Sequence, residues 1–160
     1  MNKKKFLKYV FIAILILLYL YITSFENTET EEVVSNIGDG TYTLMVYMCG
    51  SNLESDAGYA SNDIEEMLAS QLDEKINLLI YTGGAKKWFD YDISNKTNQI
   101  YKVQDGELVL IQDNIGKKYM SESDTLTYFL NYSKEKYPAD KYGLIMWDHG
   151  GGAVSGFGYD

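Results

Sequence analysis

The chain has 160 residues, of which 46% are hydrophobic, so its length allows one modest domain with a real core. All 14 basic residues are lysines, and four of them precede the first acidic residue: Lys3, Lys4, Lys5 and Lys8. The other 10 lysines stand against 23 acidic residues, a net charge of −13, which excludes nucleic acid as partner because phosphate binding needs a basic patch. This balance is typical of a solvated acidic surface and is compatible with a basic peptide or a divalent cation as partner. The single cysteine, Cys49, excludes an internal disulfide framework.

Residues 1–25 predict a signal anchor, that is, one transmembrane helix. A short basic head precedes about 20 mainly apolar residues, about 30 Å as a helix, which is enough to cross a bilayer. The lysines stay on the cytoplasmic side, so the rest of the chain is expected outside the cell. Cleavage after Ser24 would release a secreted domain, but Ile22 is a poor residue for position −3, which favours the uncleaved anchor. Residues 26–40 are acidic and weakly apolar and predict a flexible stalk.

Five elements are predicted in the first part of the remaining chain, residues 41–160. Residues 41–50 form an apolar run that stops at a glycine and predict a buried strand. Apolar residues at helical spacing from Ala57 to Leu72 predict a single helix that packs on a sheet. Residues 76–84 predict a second strand, and 99–112 two short strands joined at Asp105-Gly106, a dipeptide that favours a tight hairpin turn.

The last two elements are a helix and a strand. Ser121 or Ser123 is the predicted helix cap, Pro138 ends the helix, and 142–147 predict a third buried strand. This order predicts an α/β three-layer domain with a mainly parallel sheet and a small antiparallel hairpin. Ligands of such sheets gather at the carboxyl ends of the strands, where small or polar residues occur three times. They are MCGSN (48–52), YTGG (81–84) and WDHGGG (147–152).

His149 is the only histidine, and three glycines follow it. A histidine at a strand end is often structural, held by a nearby backbone group. The glycines favour a functional interpretation, because they let backbone N–H groups point into an open site, as an oxyanion requires. With a nucleophile, such a site performs acyl transfer. An esterase loop also contains HGGG, but that fold needs a G-x-S-x-G elbow, which this chain lacks.

Four ordered blocks resemble the clostripain-like family of cysteine peptidases, which has the caspase-type fold. The blocks are TLMVYMCGSNLES (43–55), NDIEEM (62–67), NLLIYTGG (77–84) and LIMWDHGGGAVSGFGYD (144–160). The resemblance implies that His149 is the general base and acid, and that the Gly150 N–H is an oxyanion donor. It also implies cleavage of peptides or proteins after Arg or Lys, and calcium as a cofactor of some members. The bacterial cell membrane as location is expected from residues 1–25, which lie outside the resemblance.

The chain departs from the family at the nucleophile, which the family carries on the next strand, some tens of residues after the histidine. We therefore expect the N-terminal part of a peptidase domain, incomplete at its C-terminus. It would be a truncated reading frame or half of a split protein whose complementary C-terminal chain carries the cysteine. Cys49 is expected to be buried and structural, with a nucleophilic role as the minor alternative. Asp148 would either orient the imidazole or cap the loop.

Three functions follow from these observations. The leading one is a membrane-anchored, outward-facing cysteine endopeptidase of clostripain type. The second is an inactive remnant that acts, if at all, as a membrane-tethered binding or regulatory module. The third and weakest is a fragment of an esterase-type hydrolase.

Overall fold

The computed structural model describes residues 40–151 and 156–158. The predicted anchor (1–25) and the predicted stalk (26–40), apart from its last residue, lie outside these residues. No helix of the described residues is long and apolar enough to span a bilayer. The elements in chain order are β1 (Tyr42–Cys49), α1 (Ser51–Ala57), α2 (Tyr59–Ala69), β2 (Ile76–Gly83), β3 (Gln99–Gln104), β4 (Glu107–Gln112), α3 (Ser123–Lys136) and β5 (Lys141–Trp147).

The strands form one five-stranded sheet in the order β4-β3-β2-β1-β5. β1 pairs in parallel with β2 on one side and with β5 on the other. β3 is antiparallel to both β2 and β4, so the predicted hairpin is confirmed. Its turn residues Asp105 and Gly106 have φ angles of 55° and 76°, as a tight hairpin turn requires. The sheet is therefore mixed, with its parallel part centred on β1.

Helices cover both faces of the sheet. On one face, Val46 and Met48 of β1 pack with Ala60 and Ile64 of α2. On the opposite face, β1 contacts α3, whose Phe129 is fully buried. β1 thus has no face toward solvent, which explains why its sequence is continuously apolar rather than alternating. The three-layer α/β prediction is confirmed for the described residues.

The predicted helix is confirmed as α2, which packs on the sheet through Ala60 and Ile64, but its predicted bounds are too wide. Ala57 belongs to a separate helix, α1, and Leu72 lies beyond the end of α2. Gly58 ends α1 in the left-handed conformation, with a φ of 70°, and its N–H donates to the Glu54 carbonyl at 2.9 Å. Glycine adopts this conformation without steric cost, and the chain then turns into α2. Ala57, at the end of α1, is exposed, whereas Ala60 is buried as predicted.

A buried carboxylate fixes the junction between the two helices. The Glu54 side chain is fully buried and accepts three hydrogen bonds. Two come from Ser61, from its backbone N–H at 2.9 Å and its hydroxyl at 2.6 Å, and one comes from the Phe89 N–H at 2.7 Å. Glu54 therefore joins α1, α2 and the loop after β2 at one point.

The helix α3 packs on the sheet through the predicted side chains, but it starts differently. Glu122 is the N-cap residue and makes no capping hydrogen bond through its side chain, so the predicted serine cap is wrong. Phe129 is buried, and the other predicted apolar residues of this helix face are partly buried against the same core: Leu126, Leu130 and Tyr137.

Candidate active site

His149 lies two residues beyond the end of β5, exposed at the carboxyl edge of the parallel strands. The register pairs Met48 with Trp147, so the loop after β5 starts beside the loop after β1. The end of β2 reaches the same place, because the Gly50 N–H donates to the Gly83 carbonyl at 2.9 Å. The structure therefore brings together the three strand ends that the sequence placed on one edge.

Two consecutive residues after β1, Ser51 and Asn52, lie within hydrogen-bond distance of two consecutive residues after β5, Asp148 and His149. The Ser51 hydroxyl donates to Asp148 Oδ1 at 2.7 Å, and Asn52 Oδ1 lies 2.9 Å from His149 Nε2. Ser51 has a φ of 44°, which is uncommon for a residue with a side chain and brings both polar groups to this edge. The imidazole is thus oriented from the start of α1.

The contacts of Asp148 favour the loop-capping role that the sequence left open. Its Oδ1 accepts the Ser51 hydroxyl and also the backbone N–H of His149, at 2.7 Å each. A Cβ added to Gly158 would lie 2.9 Å from Asp148 Oδ2, so the returning chain passes close to this carboxylate. Asp148 therefore fixes the backbone on which the histidine is carried.

The backbone around Gly150 is open to solvent. Gly150 and Phe157 form an isolated antiparallel bridge, supported by a hydrogen bond from the Gly158 N–H to the His149 carbonyl at 3.1 Å. Gly150 is exposed, and a Cβ added there would meet no atom within 4 Å. Among the described residues, the space beside the Gly150 Cα is therefore open. The oxyanion role of Gly150 stays a prediction.

Cys49 is buried, with 1% of its surface exposed, on the sheet face that α3 covers. This placement agrees with the predicted structural role. A nucleophile has to reach the substrate carbonyl, and a thiol enclosed in the core does not.

Within residues 40–151 and 156–158, no cluster of three histidine, cysteine, aspartate or glutamate side chains has the geometry to hold a metal ion. Calcium therefore stays a prediction from the resemblance.

Ser51 and Asn52 are the functional candidates that sequence reasoning named only as part of a strand end. Their roles depend on contacts between residues 97 positions apart in the chain. The available signal was the pair of polar residues directly after the most apolar strand.

Helices cover both faces of the sheet, and the histidine lies at the carboxyl edge of the parallel strands. This α/β arrangement is the caspase-type architecture. The sequence model of the clostripain family of peptidases matches residues 46–158. The chain belongs to this family of cysteine proteases.

Several relatives agree with this assignment. Clostripain of Hathewaya histolytica is 31% identical over an alignment of 146 positions, gaps included, which covers 78% of this chain and 27% of that protein. The inactive zymogen of a C11 protease from Parabacteroides distasonis is 29% identical, with a TM-score of 0.52 over 69% of this chain and 31% of that one. A clostripain from Bacteroides thetaiotaomicron in complex with a peptide inhibitor has the same fold at 16% identity, with a TM-score of 0.52 over 71% of this chain and 94% of that one. The chain thus spans about a quarter of the length of the clostripain that it matches.

Proposed function

We propose that this chain is the histidine-bearing part of a membrane-anchored, outward-facing cysteine endopeptidase that cleaves after Arg or Lys. The observation that carries the proposal is the imidazole of His149, which is held by Asn52 beside the open backbone of Gly150. Membership of the clostripain family supports cysteine-peptidase chemistry. The geometry supports His149 as the acid–base group and Gly150 as the oxyanion donor.

In the proposed reaction, His149 takes the proton of a cysteine thiol, and the thiolate attacks the carbonyl carbon of the scissile peptide bond. The Gly150 N–H donates to the oxyanion of the tetrahedral intermediate. The imidazolium then protonates the leaving amine, which breaks the peptide bond and leaves a thioester. A water molecule, deprotonated by His149, attacks the thioester carbonyl. The C–S bond breaks, the peptide leaves as a carboxylic acid, and the imidazolium returns its proton to the thiolate.

We place the nucleophile C-terminal to the described residues, on a further strand that pairs with β5. β1 is the one neighbour of β5 among the described strands. Apolar side chains of β5 are exposed on both faces of this edge strand, which is a surface suited to a further strand and its covering helices. They are Tyr142 (40% exposed), Leu144 (41%), Ile145 (50%) and Met146 (39%). A strand added there would end near His149.

The substrate and location are proposed from charge. The net charge of −13 after the N-terminal lysines suits a basic P1 side chain. The basic head and apolar run of residues 1–25 support a single-pass anchor with the domain outside the cell. Treating intact cells with an added protease should remove the domain, whereas protection until the cells are lysed would contradict the outward orientation.

The enzymatic proposal is tested by reconstitution. The DNA downstream, read in every frame, should encode a strand followed by a cysteine. That polypeptide is co-expressed with this chain and assayed with fluorogenic Arg and Lys peptides. We expect turnover in the pair, none in either part, and loss of turnover in His149→Ala. Cys49→Ala is the matched control and should keep the activity. Turnover by this chain without the second polypeptide, lost in Cys49→Ala, would overturn the assignment of the nucleophile.

The second candidate function is an inactive, membrane-tethered binding module. It is favoured by one observation, the burial of the only cysteine in the sequence. If no downstream frame encodes a cysteine after a strand and no part turns over peptide, the binding module is the function that remains. A downstream G-x-S-x-G on a strand-turn-helix would instead support the esterase-type hydrolase.

A further inference from the structure

We propose that Asn52 is a positioning residue that makes Nδ1 of His149 the nitrogen that takes the thiol proton. The inference has two parts. The tautomer of the imidazole follows from the contact itself, whereas its catalytic consequence rests on the proposed function.

The tautomer follows from the chemistry of the two groups. Asn52 Oδ1 lies 2.9 Å from His149 Nε2, within hydrogen-bond distance. An amide oxygen only accepts hydrogen bonds, so Nε2 has to carry the proton. A neutral imidazole has a single N–H, and Nδ1 is then the unprotonated, basic nitrogen.

The same contact is useful in the protonated state. When Nδ1 gains the thiol proton, the Nε2–H bond to Asn52 is kept, so the ring does not turn between the two proton transfers. The proton acquired at Nδ1 is therefore the one available to the leaving amine. Asn52 therefore orients the ring in both protonation states through one hydrogen bond.

The position of Asn52 is fixed on both sides along the chain. Ser51, before it, bonds to Asp148, the residue before the histidine. Glu54, two residues after it, is the buried carboxylate that anchors α1. The amide is thus presented by a rigid helix start.

The test uses the fact that His149 is the only histidine in the chain. The full chain is labelled with ¹⁵N-histidine in detergent, and the imidazole nitrogens are recorded across pH. We expect the Nε2–H tautomer in the wild type and a mixture with the Nδ1–H tautomer in Asn52→Ala. In Asn52→Asp the Nε2–H form should persist, because a carboxylate oxygen also accepts the hydrogen bond. Asn62→Ala, at an exposed asparagine of α2, is the matched control and should match the wild type.

A wild-type spectrum with the proton on Nδ1, or an Asn52→Ala spectrum equal to the wild type, would overturn the proposal. The reconstituted enzyme gives a second readout. Asn52→Ala should lower kcat by roughly 10- to 100-fold with little change in KM, which is part of the 10²–10⁴ that acid–base catalysis contributes. A pair without wild-type activity would refute the proposed function, while the NMR result still decides the tautomer.

Discussion

Replacing Glu54 should destabilise the domain more than any surface substitution, although this residue does not touch the histidine. Its carboxylate is fully buried and accepts hydrogen bonds from the Ser61 N–H, the Ser61 hydroxyl and the Phe89 N–H. Glu54→Ala removes all three acceptor contacts together. Glu54→Gln keeps an oxygen for two donors, but its NH₂ group then faces the N–H of Ser61.

The magnitude follows from the donors that remain. Phe89 is 52% exposed, so we expect water to reach its N–H, whereas Ser61 is 5% exposed and loses both partners. A buried donor without a partner costs about 1–3 kcal/mol. Two unpaired donors and the cavity left by the side chain together cost more free energy than is regained because a charge is no longer buried. The same holds when one partner of other buried charge networks is removed. We expect about 3–5 kcal/mol for Glu54→Ala and about 1–3 kcal/mol for Glu54→Gln.

The assay is urea unfolding of the full chain followed by tryptophan fluorescence. Both tryptophans of the sequence, Trp88 and Trp147, pack against the core that α2 covers, so their emission reports on this region. Glu66→Gln, at an exposed position of α2, is the matched control and should change the free energy of unfolding by less than about 0.5 kcal/mol. If Glu54→Ala behaves like this control, the three hydrogen bonds do not stabilise the fold and the reasoning is wrong.

Three further predictions concern stability and titration. Two hydrogen bonds from Thr41, one from its backbone and one from its hydroxyl, lower the pKa of Asp140 below its usual 3.8. That stabilisation is present above pH 3.8 and is lost as the pH falls through the lower folded pKa, so urea midpoints of Asp140→Asn and wild type should differ at pH 7 and converge in acid. Gly50→Ala places a Cβ 2.8 Å from the Ala85 Cβ and should cost about 1–3 kcal/mol in the same assay; an unchanged midpoint would contradict this clash. Burial and two nearby carboxylates raise the pKa of Tyr101 to about 12, so its absorbance at high pH should change after that of exposed tyrosines and vanish in Tyr101→Phe. Because the folded pKa is raised, this group stabilises the fold below its ordinary pKa of 10.0 and less as the pH rises toward 12.

The strands and the hairpin were predictable because their signals are local. β1 and β2 are apolar runs that end in glycine, and the hairpin is marked by one dipeptide. The helix α1 was missed because its buried residues are polar: Ser51, Glu54 and Ser55. Hydrophobic periodicity cannot detect a helix that is anchored by hydrogen bonds rather than by apolar packing.

The candidate site was predictable only in part for a similar reason. The sequence identified His149 and the edge on which it lies, because a histidine before glycines at a strand end is a local pattern. The contact between His149 and Asn52 depends on the register between β1 and β5, which pairs Met48 with Trp147. No pattern within one segment contains that register.

The central place of β1 also has a consequence for folding. The contact from Thr43 of β1 to Asn77 of β2 spans 34 residues, whereas the contact from Tyr42 of β1 to Lys141 of β5 spans 99. Closing the longer loop costs about 1 kcal/mol more in chain entropy, so β5 is expected to join a sheet that β1 and β2 have already formed. The amide and the imidazole then meet only in this last step. A partly folded or newly synthesised chain would hold the His149 imidazole apart from the Asn52 amide, so the ring is oriented only when β5 has joined the sheet.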